Sequence, residues 1–167
     1  EFRRVLFRSG ATALSYFNRR ETLVVETKYD LQDVVSIADR DVEQQIAAHL
    51  RAAFPEDGFL GEESGLQPGA SDYTWVVDPI DGTSPFLNGM PNWCVSVAVL
   101  RGDLPVIGVI FAPLYDECYV AALGQGATLN GCRLAVDPAR TLQNHVTGFG
   151  ANSHVTPQQD RKSTRLN

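Results

Sequence analysis

What this 167-residue sequence lacks narrows its class before any motif is considered. It has no apolar run near the ~20 residues that a bilayer-spanning helix needs, and no stretch reads as a secretory leader. Cysteine is scarce. Cys94, Cys118 and Cys132 are odd in number and lack close metal-ligand spacing, so buried reduced thiols in a cytoplasmic protein are expected, not a disulfide framework. No internal repeat or low-complexity segment occurs. Basic side chains are outnumbered, 14 Lys and Arg against 20 Asp and Glu, for a net charge of −6. Such a surface repels nucleic-acid polymers and anionic membranes. It also repels a phosphate ester, unless bound cations invert the local field. What is present, 44% hydrophobic residues over this length, suits one domain with a sizeable core.

The two ends look foreign to that domain. Residues 160–167 (DRKSTRLN) translate GAT CGG AAG AGC ACA CGT CTG AAC, and residues 2–9 (FRRVLFRS) translate TTC AGA CGT GTG CTC TTC CGA TCT. Both strings resemble sequencing-adapter DNA, and each holds the reverse complement of much of the other. Residues 1–9 and 160–167 are therefore expected to be adapter-derived, leaving 10–159 as the domain. Without the six basic and two acidic side chains of those segments, the net charge becomes −10.

Residues 10–20 read as the end of a helix, and a polar loop is expected around Glu26–Asp33. Val42, Ile46, Leu50 and Ala53 recur at helical spacing, with Asp39 near the start as the simplest N-cap and Pro55–Gly58 as the stop. From Phe59 the pattern becomes that of strands. Tyr73–Val77 is short and β-rich, and Trp93–Leu100 is apolar at nearly every position, as in a strand covered on both faces. Val106–Ala112 and Glu117–Ala122 follow after short turns, suggesting an antiparallel meander. Gly124-Gln125-Gly126 and Asn130-Gly131 are further turn signals. An α+β fold with helices layered on a mostly antiparallel sheet is the economical architecture.

The chemistry concentrates in Asp78-Pro79-Ile80-Asp81-Gly82-Thr83 at the end of an apolar strand. Two carboxylates stand three residues apart, Pro79 restricts the backbone between them, and Gly82 permits a tight turn before the Thr83 hydroxyl. Asp oxygens are hard donors suited to Mg²⁺, and the N–H groups of Gly82 and Thr83 could form an anion-binding concavity. Taken alone, Asp-Gly-Thr is more often only a turn. Gly61-Glu62-Glu63-Ser64 adds two carboxylates upstream, by itself more often a solvated loop. Lys28 alone reads as a surface lysine. His49, His145 and His154 read as structural or exposed.

Together these segments resemble the inositol monophosphatase family, Mg²⁺-dependent and lithium-sensitive phosphatases. Lys28, Val35-Ser36-Ile37-Ala38-Asp39, Gly61-Glu62-Glu63-Ser64, Asp78–Thr83 and Gly126-Ala127-Thr128-Leu129-Asn130-Gly131 match in order and spacing. The resemblance implies the first part of an αβαβα sandwich. It implies Glu62, Asp78 and Asp81 as side-chain metal ligands, with Ile80 contributing its backbone carbonyl. Ile80, Asp81, Gly82, Thr83 and Lys28 would face the substrate phosphate. Thr83, supported by Asp39, would help Glu62 orient and activate a water for in-line attack, and Glu63 would support from behind. The substrate would be a small phosphorylated polyol or sugar, the cofactor Mg²⁺, and the full-length form a homodimer.

Two departures bear on function. The family continues into a second half with a Trp-Asp motif whose Asp is another metal ligand, and neither Trp75 nor Trp93 is followed by Asp. The chain alone is therefore expected to be inactive and prone to aggregate through an uncovered face. Ser84-Pro85 stands where many members have Thr-Asn, leaving the ligands intact and substrate choice open. Fructose-1,6-bisphosphatase, histidinol-phosphatase and 3′(2′),5′-bisphosphate nucleotidase activities are the alternatives within the superfamily, and a non-catalytic fragment the alternative outside it.

Overall fold

The computed structural model describes residues 2–23, 25–27 and 34–139, with side chains from 6–23 and 36–139. Lys28, His145, His154 and residues 160–167 lie outside the described set. Glu1–Leu134 form one compact unit. Of the second unit, Ala135–Asn167, only residues 135–139 are described, where Asp137 Oδ1 accepts the Ala139 N–H at 2.9 Å.

Two long helices cover one face of an eight-stranded sheet. Helix α1 spans Phe2–Asn18 and is followed by a 3-10 turn at Arg20–Thr22. It thus runs through residues 2–9 without a break, with Leu6 and Ser9 buried and Phe7 4.6 Å from Phe111 between ring centroids. Helix α2, Ile37–Ala53, buries Val42, Ile46 and Leu50 as its spacing predicts, whereas Ala53 is exposed. The helices pack side by side, with the Thr12 hydroxyl donating to Gln45 Oε1 at 2.9 Å and Tyr16 to Asp41. Among the described residues no helix is long and apolar enough to cross a membrane.

Two short strands paired antiparallel, β1 (Val25–Thr27) and β2 (Val34–Ser36), flank the expected loop, of which residues 28–33 lie outside the described residues. The main sheet holds β3 (Gly58–Gly61), β4 (Gly65–Gln67), β5 (Tyr73–Asp81), β6 (Cys94–Arg101), β7 (Leu104–Ala112), β8 (Glu117–Ala122), β9 (Gly126–Leu129) and β10 (Cys132–Leu134). Its order is β10-β9-β8-β7-β6-β5-β3-β4. Among the described residues only β3 and β5 run parallel, so the sheet is mixed and mostly antiparallel. The meander from β6 to β8 matches the sequence reading.

The two faces of the sheet differ. Phe59, Trp75, Val77, Val95, Val97, Val99, Val109, Phe111 and Cys118 are buried beneath the helices. Strand β6 was expected to be covered on both faces, yet its residues alternate buried and half-buried. Ser96, Ala98 and Leu100 point away from the helices, and no described element packs on them with more than slight contact. The thiol expectation also needs correction: Cys94, Cys118 and Cys132 are free, but only Cys118 is buried and Cys132 is exposed.

Candidate active site

The two carboxylates of β5 share a face because the strand is irregular. Residues three apart on a regular strand point to opposite sides. Here Asp78 pairs with Ser96 and Asp81 with Cys94, three steps on β5 against two on β6. The extra residue is a bulge, and it turns Asp81 back to the side of Asp78. Pro79 sits inside the bulge, where its missing N–H costs no ladder bond. The half-buried Cys94 thiol, 3.8 Å from Asp81 Oδ2, confirms the direction. Burial, with Asp81 and Asp78 nearby, pushes that thiol up to about 12.

Glu62 arrives from the neighbouring strand. Strands β3 and β5 run in register with Gly61 beside Val77, and the three-residue turn 62–64 connects β3 to β4. The Glu62 N–H donates to the Val77 carbonyl at 3.1 Å, setting Glu62 next to Asp78. Burial, the Glu62 charge, a hydrogen bond with the Glu62 side chain and the Asp81 charge raise Asp78 from 3.8 to about 8. One Asp78 oxygen, Oδ1, is buried with no hydrogen-bond partner. Glu62 and Asp78 line a groove of about 310 Å³ floored by Leu60, Val76 and Ala98 on the uncovered face.

Thr83 and Asp39 meet as expected. After Asp81 the chain turns through Gly82, at φ 96°, into the short helix α3, Thr83–Leu87. A Cβ at Gly82 would lie 2.6 Å from the Asn92 carbonyl, so both conformation and space require glycine. Beneath the turn, Phe86, Trp93 and Phe17 form a buried aromatic cluster with centroids 4.9–5.4 Å apart. The Thr83 hydroxyl lies 3.0 Å from Asp39 Oδ1 and 3.1 Å from the Ile80 carbonyl, and can donate to either.

Asp39 is not the N-cap that its position suggested. Ser36 is the cap: its hydroxyl accepts the Ala38 N–H, while Asp39 Oδ2 accepts the Ser36 N–H at 2.9 Å and the Ser36 hydroxyl at 2.8 Å. Asp39 is fully buried, and burial raises its pKa against the pull of these donors. The sequence carried this signal in Ser36-x-x-Asp39 ahead of an apolar helix.

Glu43 was missed by the sequence reading. It is buried at 2% exposure, and its carboxylate accepts the N–H of Glu63 at 2.8 Å and of Ser64 at 3.0 Å. Its signal was an acid four residues after Asp39, on the apolar face of the same helix. His49 plays the structural part expected, its Nδ1 2.7 Å from the Gln45 carbonyl.

These side chains suit a hard cation. Glu62, Asp78, Asp81 and the Ile80 carbonyl offer only oxygen, and the orphaned Asp78 Oδ1 is a buried acceptor that a divalent ion would satisfy. Among the described residues no three acidic, His or Cys side chains are already gathered tightly around one point.

The chain is 41% identical over 143 residues to Nus factor SuhB of Xylella fastidiosa, covering 84% of this chain and 51% of that protein. It is 36% identical over 124 residues to the fructose-1,6-bisphosphatase/inositol-1-monophosphatase of Aquifex aeolicus, covering 73% and 47%. The crystal structure of the extragenic suppressor protein suhB from Bartonella henselae superposes with a TM-score of 0.77 at 37% identity, covering 82% of this chain and 53% of that one. The chain thus spans about half the length of the curated relatives it matches. Residues 2–166 match the sequence model of the inositol monophosphatase family, and the chain belongs to that family.

Proposed function

We propose that this chain is the carboxylate-bearing part of a Mg²⁺-dependent phosphomonoesterase acting on an inositol phosphate or a related sugar phosphate. The observation that carries the reading is the buried, unpartnered Asp78 Oδ1 set between the Glu62 and Asp81 charges. Glu62, Asp78, Asp81 and the Ile80 carbonyl would hold the ion. Mg²⁺, when bound there, supplies the positive charge that a phosphate dianion needs and acidifies water. The protein's own part is to aim the groups. Thr83, giving its proton to Asp39, keeps oxygen lone pairs free to orient a water that Glu62 can deprotonate. Gly82 lets the backbone approach the phosphate closely, and Lys28 would add a cation near it.

A sugar bisphosphate is the second reading, favoured by the printed name of the Aquifex aeolicus relative. A cytoplasmic homodimer is proposed for the protein at its relatives' length. The test is phosphate release over a panel of inositol, sugar and nucleotide phosphates, on a protein in which this chain continues to that length. Turnover is expected to require Mg²⁺, to fall with Li⁺, and to drop at least about a hundredfold in Asp81→Asn. Unchanged turnover in that variant would defeat the metal assignment.

A further inference from the structure

We propose that Glu43 is a positioning residue of the carboxylate site: it clamps the turn 62–64 from behind and so fixes where Glu62 points. The inference rests on the reading of Glu62 as a metal ligand, but its geometry stands separately.

The turn holds three consecutive N–H groups, and each is tied to an acceptor outside it. Glu62 donates to the Val77 carbonyl, Glu63 to Glu43 Oε2 and Ser64 to Glu43 Oε1. A turn whose successive amides are all anchored cannot rock its first side chain away from β5. Glu43 itself is immobile, since it is buried and sits on the apolar face of α2. Space is closed as well. A Cβ at Gly61 would lie 2.5 Å from the Glu43 carboxylate carbon, so the residue before Glu62 must be glycine for the clamp to form.

The same helix face performs a second task one turn earlier. Asp39 and Glu43, four residues apart, both point from α2 toward the sheet. Asp39 holds Thr83, which follows β5, and Glu43 holds the turn that follows β3. A single rigid helix therefore sets the distance between the two site segments. Groups that support ligands in this way are worth about ten- to a hundredfold in metal affinity.

The experiment compares the chain with its Glu43→Gln and Gly61→Ala variants, using hydrogen exchange of the backbone amides and Tb³⁺ luminescence as a probe of cation binding. Glutamine keeps the volume but offers one acceptor, so one amide of the pair loses its partner. Faster exchange at Glu63 or Ser64, an unchanged core, and at least about tenfold weaker Tb³⁺ binding are expected. Gly61→Ala should displace the carboxylate and give the same pattern, so a poorly folding Glu43→Gln leaves the second variant to decide. Faster exchange with unaltered Tb³⁺ affinity would overturn the positioning role, as would unaltered exchange in both variants. If the parent chain binds no Tb³⁺, the titration is repeated on the chain continued to its relatives' length, and absence of binding there as well defeats the metal reading. The clamp is then judged by whether the Glu62 amide, bonded to Val77, also exchanges faster in the variants.

Discussion

At the scale of single residues the site is a balance of like charges, and pH shifts it. Asp78 is raised from 3.8 to about 8, so it holds a proton near neutrality that a cation must displace. Divalent-cation affinity is therefore expected to rise about tenfold per pH unit below 8 and then level off, as titrations between pH 6 and 9 would show. Without metal the sign reverses. A raised carboxyl pKa gives stability that is fully present below pH 3.8 and lost as pH climbs through 8. Glu62→Gln removes the largest neighbouring charge, and should flatten that loss while weakening cation binding. Differential scanning fluorimetry across the same range reads it directly. Thr83 tests the other half of the site. Thr83→Ala leaves the buried Asp39 oxygen without its donor and should lower turnover of the extended protein about a hundredfold, whereas Thr83→Ser should recover most of it.

At the scale of elements, the sequence was clearest where periodicity and burial coincide. Helix α2 and strands β5 to β8 follow their apolar spacing, so their existence was readable, as was the pairing of β6 to β8. The start of α2 was misread by three residues because Asp39 and Ser36 are both cap-forming types, and only the fold shows that they serve each other. Ser36→Ala removes the Oγ that caps Ala38 and donates to Asp39. It should cost about 1–2 kcal/mol in denaturant unfolding, at the upper end for a cap because the group is buried. The bulge at Pro79 was not legible: nothing in Asp-Pro-Ile-Asp states that both carboxylates face one side, and regular alternation states the opposite. Glu43 was hidden for another reason. Its partners are backbone N–H groups twenty residues away, which no side-chain pattern announces. The family resemblance supplied the site residues, and the geometry supplied the helix that holds them.

At the scale of the whole molecule, the consequential feature is the sheet face opposite the helices. Asp78, Ser96, Ile110 and Tyr119 are direct cross-strand partners and so form one row on that side. The carboxylate groove is one end of this face. Much of the face is apolar, from the groove floor of Leu60, Val76 and Ala98 to the half-buried Leu100 and the exposed Ile110. In water such a contiguous surface drives association, since burying it recovers roughly 25 cal/mol per Å² of apolar area. Net charge opposes association only weakly, because −6 is spread over a surface of 11425 Å². The chain by itself is expected to self-associate through this face and to show little Mg²⁺-dependent turnover, because contact there covers the groove. Ile110→Lys places a charge mid-row without touching the helix-facing core. It should shift the chain toward monomer in light scattering while its circular dichroism stays unchanged. Association that persists in that variant would place the sticky surface elsewhere, with the exposed edge around Leu104 and Leu123 next to be tested.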